Sequence, residues 1–169
     1  LAQVARWERA WALANPRSAI DADQVEFLFS ETLADGTLQA RPGTEVTLDY
    51  VEAAGVWRQI RGRFEVRNRT SQRLHASLVY FSGAYGVHSL ANEPIEPSED
   101  PVTLWGANPN DYFYLDDPAK NISVERFKLI VSTEKVDDFL LSEDDLTLGE
   151  GLPANRALGS VQPEVSKVL

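Results

Sequence analysis

Apolar and polar positions along the chain change period once. Val4, Trp7, Trp11 and Ala14 follow a 3-4-3 spacing, which places them on one face of a helix over residues 1–14. Asn15-Pro16 ends it, because the residue before proline is pushed out of the α region. A helix this short is marginal alone in water, so its two tryptophans must dock on the main domain or on a neighbour. From Gln24 the period becomes two. Val25, Phe27 and Phe29 alternate with Glu26, Leu28 and Ser30, and Val46, Leu48 and Tyr50 with Thr47, Asp49 and Val51, predicting two strands. Turn signals stand at Asp35-Gly36 and Pro42-Gly43.

Alternation is clearest over Ile60–Arg69. Ile60, Phe64 and Val66 point one way, and Arg61, Arg63, Glu65, Arg67 and Arg69 the other. Leu74–Phe81 alternates less, which predicts burial on both faces. Further strands are predicted over Ala84–Leu90, Val102–Trp105 and Phe127–Ser132, with a loop over Asn92–Pro101; Asp111–Leu115 reads as strand or loop. Thr133 is placed to cap a short helix carrying Glu134, Asp137 and Asp138 in its first turn, and Ser142 with Asp145 resembles a second cap. About eight short strands joined by turns predict a mainly β protein, an antiparallel β-sandwich with an N-terminal helix and short C-terminal helical turns. The expected organisation is a linker helix over 1–20 docking on the domain, a sandwich over 21–148 and an extended tail over 149–169.

Composition narrows the chemistry. A chain of 169 residues suits one domain with a sizeable core. It contains no Cys, which excludes disulfides, thiolate metal sites and a cysteine nucleophile, and fits a reducing, cytoplasmic setting. No run is long enough to span a membrane, and Arg6, Glu8 and Arg9 interrupt any signal-peptide pattern. The chain starts at Leu1 and lacks Met, so we expect a processed product or part of a longer polypeptide. Residues 1–84 carry ten basic and ten acidic side chains, whereas 85–169 carry six and sixteen, so the net charge of −10 lies in the second half. Such a body repels nucleic-acid phosphates and anionic membranes, and neither is expected as a partner.

Several segments together resemble the region that follows the peptidase domain in bacterial caspase-like cysteine peptidases. They are Arg6-Trp-Glu8 with Asn15–Ile20, Leu48-Asp-Tyr50, Phe64–Thr70, Leu74–Tyr80, Pro97, and Phe127–Glu134. The resemblance spans most of residues 4–146 and consists of strand-and-turn patterns. It implies a non-catalytic regulatory or recognition module, whose partner is another protein or the peptidase part of the same polypeptide. That peptidase works through Cys and His, so no catalytic residue carries over to this chain.

The candidate partner-binding residues are the aromatics Trp105, Tyr112, Phe113 and Tyr114, which suit ligand stacking or a protein contact as well as core packing. A second candidate is the stripe Arg61, Arg63, Arg67 and Arg69, able to fork onto anions or to pair with Glu65, Asp49 or Glu52 across a sheet. His75 and His88 read as packed strand histidines with one hydrogen bond each. The acidic pairs Asp21/Asp23, Glu99/Asp100 and Asp116/Asp117 and the triplet Glu143–Asp145 lack a calcium-loop spacing, and no metal or cofactor is expected. Asn68-Arg-Thr70 and Asn121-Ile-Ser123 match the glycosylation triplet by chance. Two other functions stay open: a small-ligand or carbohydrate-binding sandwich, and a glycoside hydrolase using two convergent carboxylates.

Overall fold

The computed structural model describes residues 2–54, 56–113, 124–137, 142–146 and 160–167. Helix α1 spans Ala2–Trp11, followed by ten strands: β1 (Val25–Thr32), β2 (Leu38–Ala40), β3 (Glu52–Ala53), β4 (Val56–Trp57), β5 (Arg61–Asn68), β6 (Leu74–Phe81), β7 (Val87–Ile95), β8 (Val102–Trp105), β9 (Val124–Ser132) and β10 (Ser160–Lys167). Sheet A has the order β2-β1-β5-β8, sheet B the order β10-β9-β6-β7, and β3-β4 is a separate ribbon. Two mainly antiparallel sheets stacked as a sandwich, with one N-terminal helix, match the predicted class.

The sandwich interior follows from period-two side chains. Phe64 and Val66 of β5, Val25 and Phe29 of β1, Leu78 and Tyr80 of β6, and Phe127 and Leu129 of β9 form one buried cluster. Phe64 sits at its centre, 4.6 Å from Phe127 of the opposite sheet, centroid to centroid, and 4.9 Å from Phe29. Gly62 makes room for these rings, since a Cβ there would lie 2.6 Å from Phe29 and 2.9 Å from Phe113. The β-bulges in β7 and β8 add to the same interior. Leu90 and Leu104 are the unpaired extra residues, and each bulge turns two successive side chains, Leu90-Ala91 and Leu104-Trp105, onto the core.

Strands β6 and β9 of sheet B are buried on both faces, as the weak alternation of β6 predicts. Its outer residues Val79, Phe81, Val87 and Ile130 form a second cluster with Trp7, and Trp11 packs against it. Helix α1 therefore docks on its own domain. The Arg126 guanidinium lies 5.0 Å from the Trp7 ring centre and 5.5 Å from that of Trp11. Lys128 is fully buried, and its ammonium donates to the carbonyls of Ala10, Trp11 and Leu13 at the helix C-terminus. A buried cation is tolerable there because the final carbonyls of a helix lack intrahelical donors and carry partial negative charge.

Four expectations are corrected. Residues 46–51 keep the alternating burial of a strand, with Val46 and Leu48 inside, but belong to none of the named strands. The hairpin partner of β1 is the exposed β2, reached through the Asp35-Gly36 turn. Strand β7 starts after Gly86 and runs on through Asn92–Ile95, because residues 83–85 form the hairpin turn. Thr133–Asp137 is a bend and irregular chain without helix, and Glu143 is held by reciprocal backbone hydrogen bonds to Val87, so Ser142 caps no helix; residues 138–141 lie outside the described set. Part of the expected tail is strand β10, which runs parallel to β9, so this one pair departs from the antiparallel pattern.

Asn68 ties the crossing from sheet A to sheet B. Its amide donates to the carbonyls of Gln72 (2.9 Å) and Ile95 (3.1 Å), and its Oδ1 accepts from the Thr70 amide (3.0 Å) and hydroxyl (2.6 Å). With 2% exposure it is closed to a glycosyl donor in the folded chain.

Asn68→Ala leaves several buried groups unpaired and is expected to lower unfolding free energy by about 2–4 kcal/mol, read by urea denaturation. Trp7→Ala is expected to lose about 3–5 kcal/mol in the same measurement.

Candidate functional site

Two places bring chemically useful side chains together. One is the end of sheet B at the β6-β7 hairpin. Tyr80 closes the inner face of β6, Ser82 follows the strand, His88 lies opposite Tyr80 on β7, and Glu125 begins β9. The Tyr80 hydroxyl donates to Glu125 Oε2 at 2.7 Å, and the Gly83 amide donates to the same oxygen at 3.3 Å. Glu125 is only 3% exposed. Asp145 reaches in from the segment that crosses the hairpin: its Oδ1 accepts from Ser82 Oγ at 2.6 Å and lies 3.1 Å from His88 Nε2. His88 also stacks on Tyr80, with ring centres 5.7 Å apart. A Cβ on Gly86 would overlap Asp145 Oδ1.

Serine, histidine and aspartate are present here in an order that does not activate the serine. Hydrolytic triads put histidine between serine and carboxylate, so that its free nitrogen takes the hydroxyl proton. In this cluster the carboxylate sits between the other two, and no hydrogen bond joins Ser82 to His88 among the described residues. Ser82 Oγ also accepts from the Gly86 amide at 2.9 Å, which fixes it in the turn. The arrangement fastens the hairpin to residues 142–146, assisted by Leu146 N–H to Ala84 O and by the Arg6–Glu143 ion pair at 2.5 Å.

The other place is a cleft of about 450 Å³ at the far end of sheet A, lined by the β1-β2 hairpin and by residues of the 49–61 segment. Leu33 (38% exposed) and Val51 (55%) supply apolar walls, Arg58 and Arg61 cations, and Glu31 and Asp49 acids. Arg41 binds Glu31 through both Nε, at 2.9 Å, and Nη2. The hairpin beside the cleft is fixed by Asp35, whose Oδ1 accepts from the Thr37 hydroxyl (2.6 Å) and amide (2.9 Å). The Thr37 side chain, and then its amide, hold the Asp35 carboxyl below its ordinary value. That contribution is present above the ordinary carboxylate pKa and is lost as pH falls through the lowered one.

The predicted site residues fare differently. Phe113 is fully buried, with its ring centre 5.1 Å from Trp105, so it cannot meet a partner. Trp105 is half-buried against the core and Tyr112 is half-buried, while Tyr114 lies outside the described residues. Of the two readings, Phe113 takes core packing, because the Ile60–Phe113 bridge draws it in beside the start of β5. The arginine stripe does form one face. Arg67 pairs with Glu26, Arg69 with Glu26 (3.1 Å) and Glu99 (3.5 Å), and Arg63 weakly with Glu65 at 3.9 Å. Arg61 has no ion pair among the described residues. His75 Nδ1 is buried without a hydrogen-bond partner among the described residues.

Tyr80, Ser82, Glu125, Arg58, Leu33 and Val51 escaped the sequence reading. Glu125 opening an apolar strand, and Arg58 with Arg61 bracketing Ile60, were the signals present. Among the described residues no group of three or more His, Cys, Asp or Glu could hold a metal, and no helix is long and apolar enough to cross a membrane. No known family, curated protein or solved structure matches the chain.

Asp145→Ala removes the acceptor shared by Ser82 and His88. It is expected to lower stability by about 1–3 kcal/mol and to increase amide hydrogen exchange at residues 82–88.

Proposed function

We propose that this chain is a non-catalytic recognition module that acts through protein contacts as part of a larger polypeptide. One observation carries the reading: the side chains able to do chemistry bind one another, whereas the cleft side chains face solvent. Glu125 accepts from Tyr80 and Gly83, and Asp145 engages Ser82 and His88. Leu33, Val51, Arg58 and Arg61 are all exposed.

A glycosidase needs one carboxyl able to donate a proton and a second acting as base or nucleophile. The cleft does hold two acids, but Glu31 Oε2 is already engaged by both Nε and Nη2 of Arg41. Placement beside a caspase-like peptidase in a bacterial cytoplasm rests on the strand-and-turn resemblance of residues 4–146 and on the lack of Cys.

The test combines assay and capture. The purified chain is expected to turn over no peptide, ester or glycoside substrate, and, once immobilised, to retain discrete proteins reproducibly and saturably. Turnover that disappears in Glu125→Gln or Asp145→Asn overturns the proposal, as does a complete lack of saturable capture.

A further inference from the structure

Most arginines of sheet A and its margins meet acids: Arg41 with Glu31, Arg63 with Glu65, Arg67 with Glu26, and Arg69 with Glu26 and Glu99. Arg58 and Arg61 have no ion pair among the described residues, and both line the 450 Å³ cleft. Acids outnumber bases in this chain by 26 to 16, so two cations left together are not explained by a shortage of partners. Glu31 is already paired with Arg41, which leaves Asp49 as the one uncompensated acid among the described lining residues, a balance of +1 there on a body of −10. Screening over about 8 Å at physiological salt lets this local balance, rather than distant acids, govern a ligand inside the cleft. Leu33 and Val51 flank the cations, and no aromatic ring lines the cleft among the described residues.

We propose that the cleft binds an acidic, aliphatic segment of a protein partner, its carboxylates against Arg58 and Arg61 and its aliphatic side chains against Leu33 and Val51. This rests on the recognition reading above and gives it a site and a ligand chemistry. Guanidinium forks match carboxylates in geometry as well as charge. A nucleic-acid strand would need a longer cationic track and stacking rings, and a sugar would favour an aromatic platform; the described lining residues offer neither.

The experiment uses the full chain and a short fluorescein-labelled peptide of alternating Glu and Leu, read by fluorescence anisotropy at physiological salt. Saturable binding is expected, weakened about tenfold or more in Arg58→Ala/Arg61→Ala and again in Leu33→Ser/Val51→Ser. Arg73→Ala, which opens an exposed pair with Glu96 elsewhere, should bind as the parent does. A Gln-Leu counterpart should bind about tenfold more weakly, a comparison that needs no altered protein. The proposal is overturned by equal binding of the Gln-Leu peptide, by arginine variants that bind normally, or by no saturable binding up to millimolar peptide. Preferential binding of inorganic phosphate or a single-stranded oligonucleotide also overturns it. If captured proteins stay bound to Arg58→Ala/Arg61→Ala, the cleft assignment falls while the recognition reading stands.

Discussion

The two sheets are joined through the ring of Phe64. It touches Phe27 and Phe29 of β1, Trp105 of β8, Phe113, and Phe127 across the interface. Aromatic pairs contribute about 0.5–1.5 kcal/mol each beyond the area they bury, so one side chain couples β5 to three other strands across two sheets. Two glycines make the arrangement possible. Gly62 leaves space for Phe29 and Phe113. Gly106, at φ +94°, lets the chain after β8 approach the Gly62 carbonyl so closely that any Cβ would overlap it. The glycine positions and the ring cluster are thus one constraint seen from backbone and side chain.

A second layer depends on Lys128. Burying an ammonium without partners costs several kcal/mol, and an isolated ten-residue helix is unstable in water. Each problem answers the other. The helix end supplies three carbonyls to the ammonium, and the ammonium, with Arg126 over the indoles, holds the helix on sheet B. Tyr85 extends the contact, with its ring edge-on to Trp7 at 5.8 Å although its backbone lies at φ +62°, where glycine is usual. The side-chain contact compensates for a strained turn.

Much of this was readable from spacing. The tryptophan pair, the Asp35-Gly36 turn and the arginine alternation on β5 are local patterns, and local patterns report which face a residue occupies. They do not report what pairs with that face. Residues 46–51 alternate as a strand does yet form no named strand: Val46 makes a single bridge and the Val51 carbonyl accepts from the Arg58 amide, and alternation reflects burial whereas a strand requires a continuous ladder. Ser82 and Asp145 lie 63 residues apart and meet only through the folded hairpin. Phe113 stayed open between a contact and the core because aromatics near Asn and Asp suit both; its bridge to Ile60 places it in the core. Lys128 lies within an apolar strand, and its acceptors at the helix end come together only in the fold.

The bulges at Leu90 and Leu104 lie on β7 and β8, the terminal strands of sheets B and A. An extra residue breaks the regular spacing of backbone donors and acceptors and increases local twist. A strand from another copy cannot run in register past such a kink, so the side chains that complete the core also blunt two edges against fibril growth.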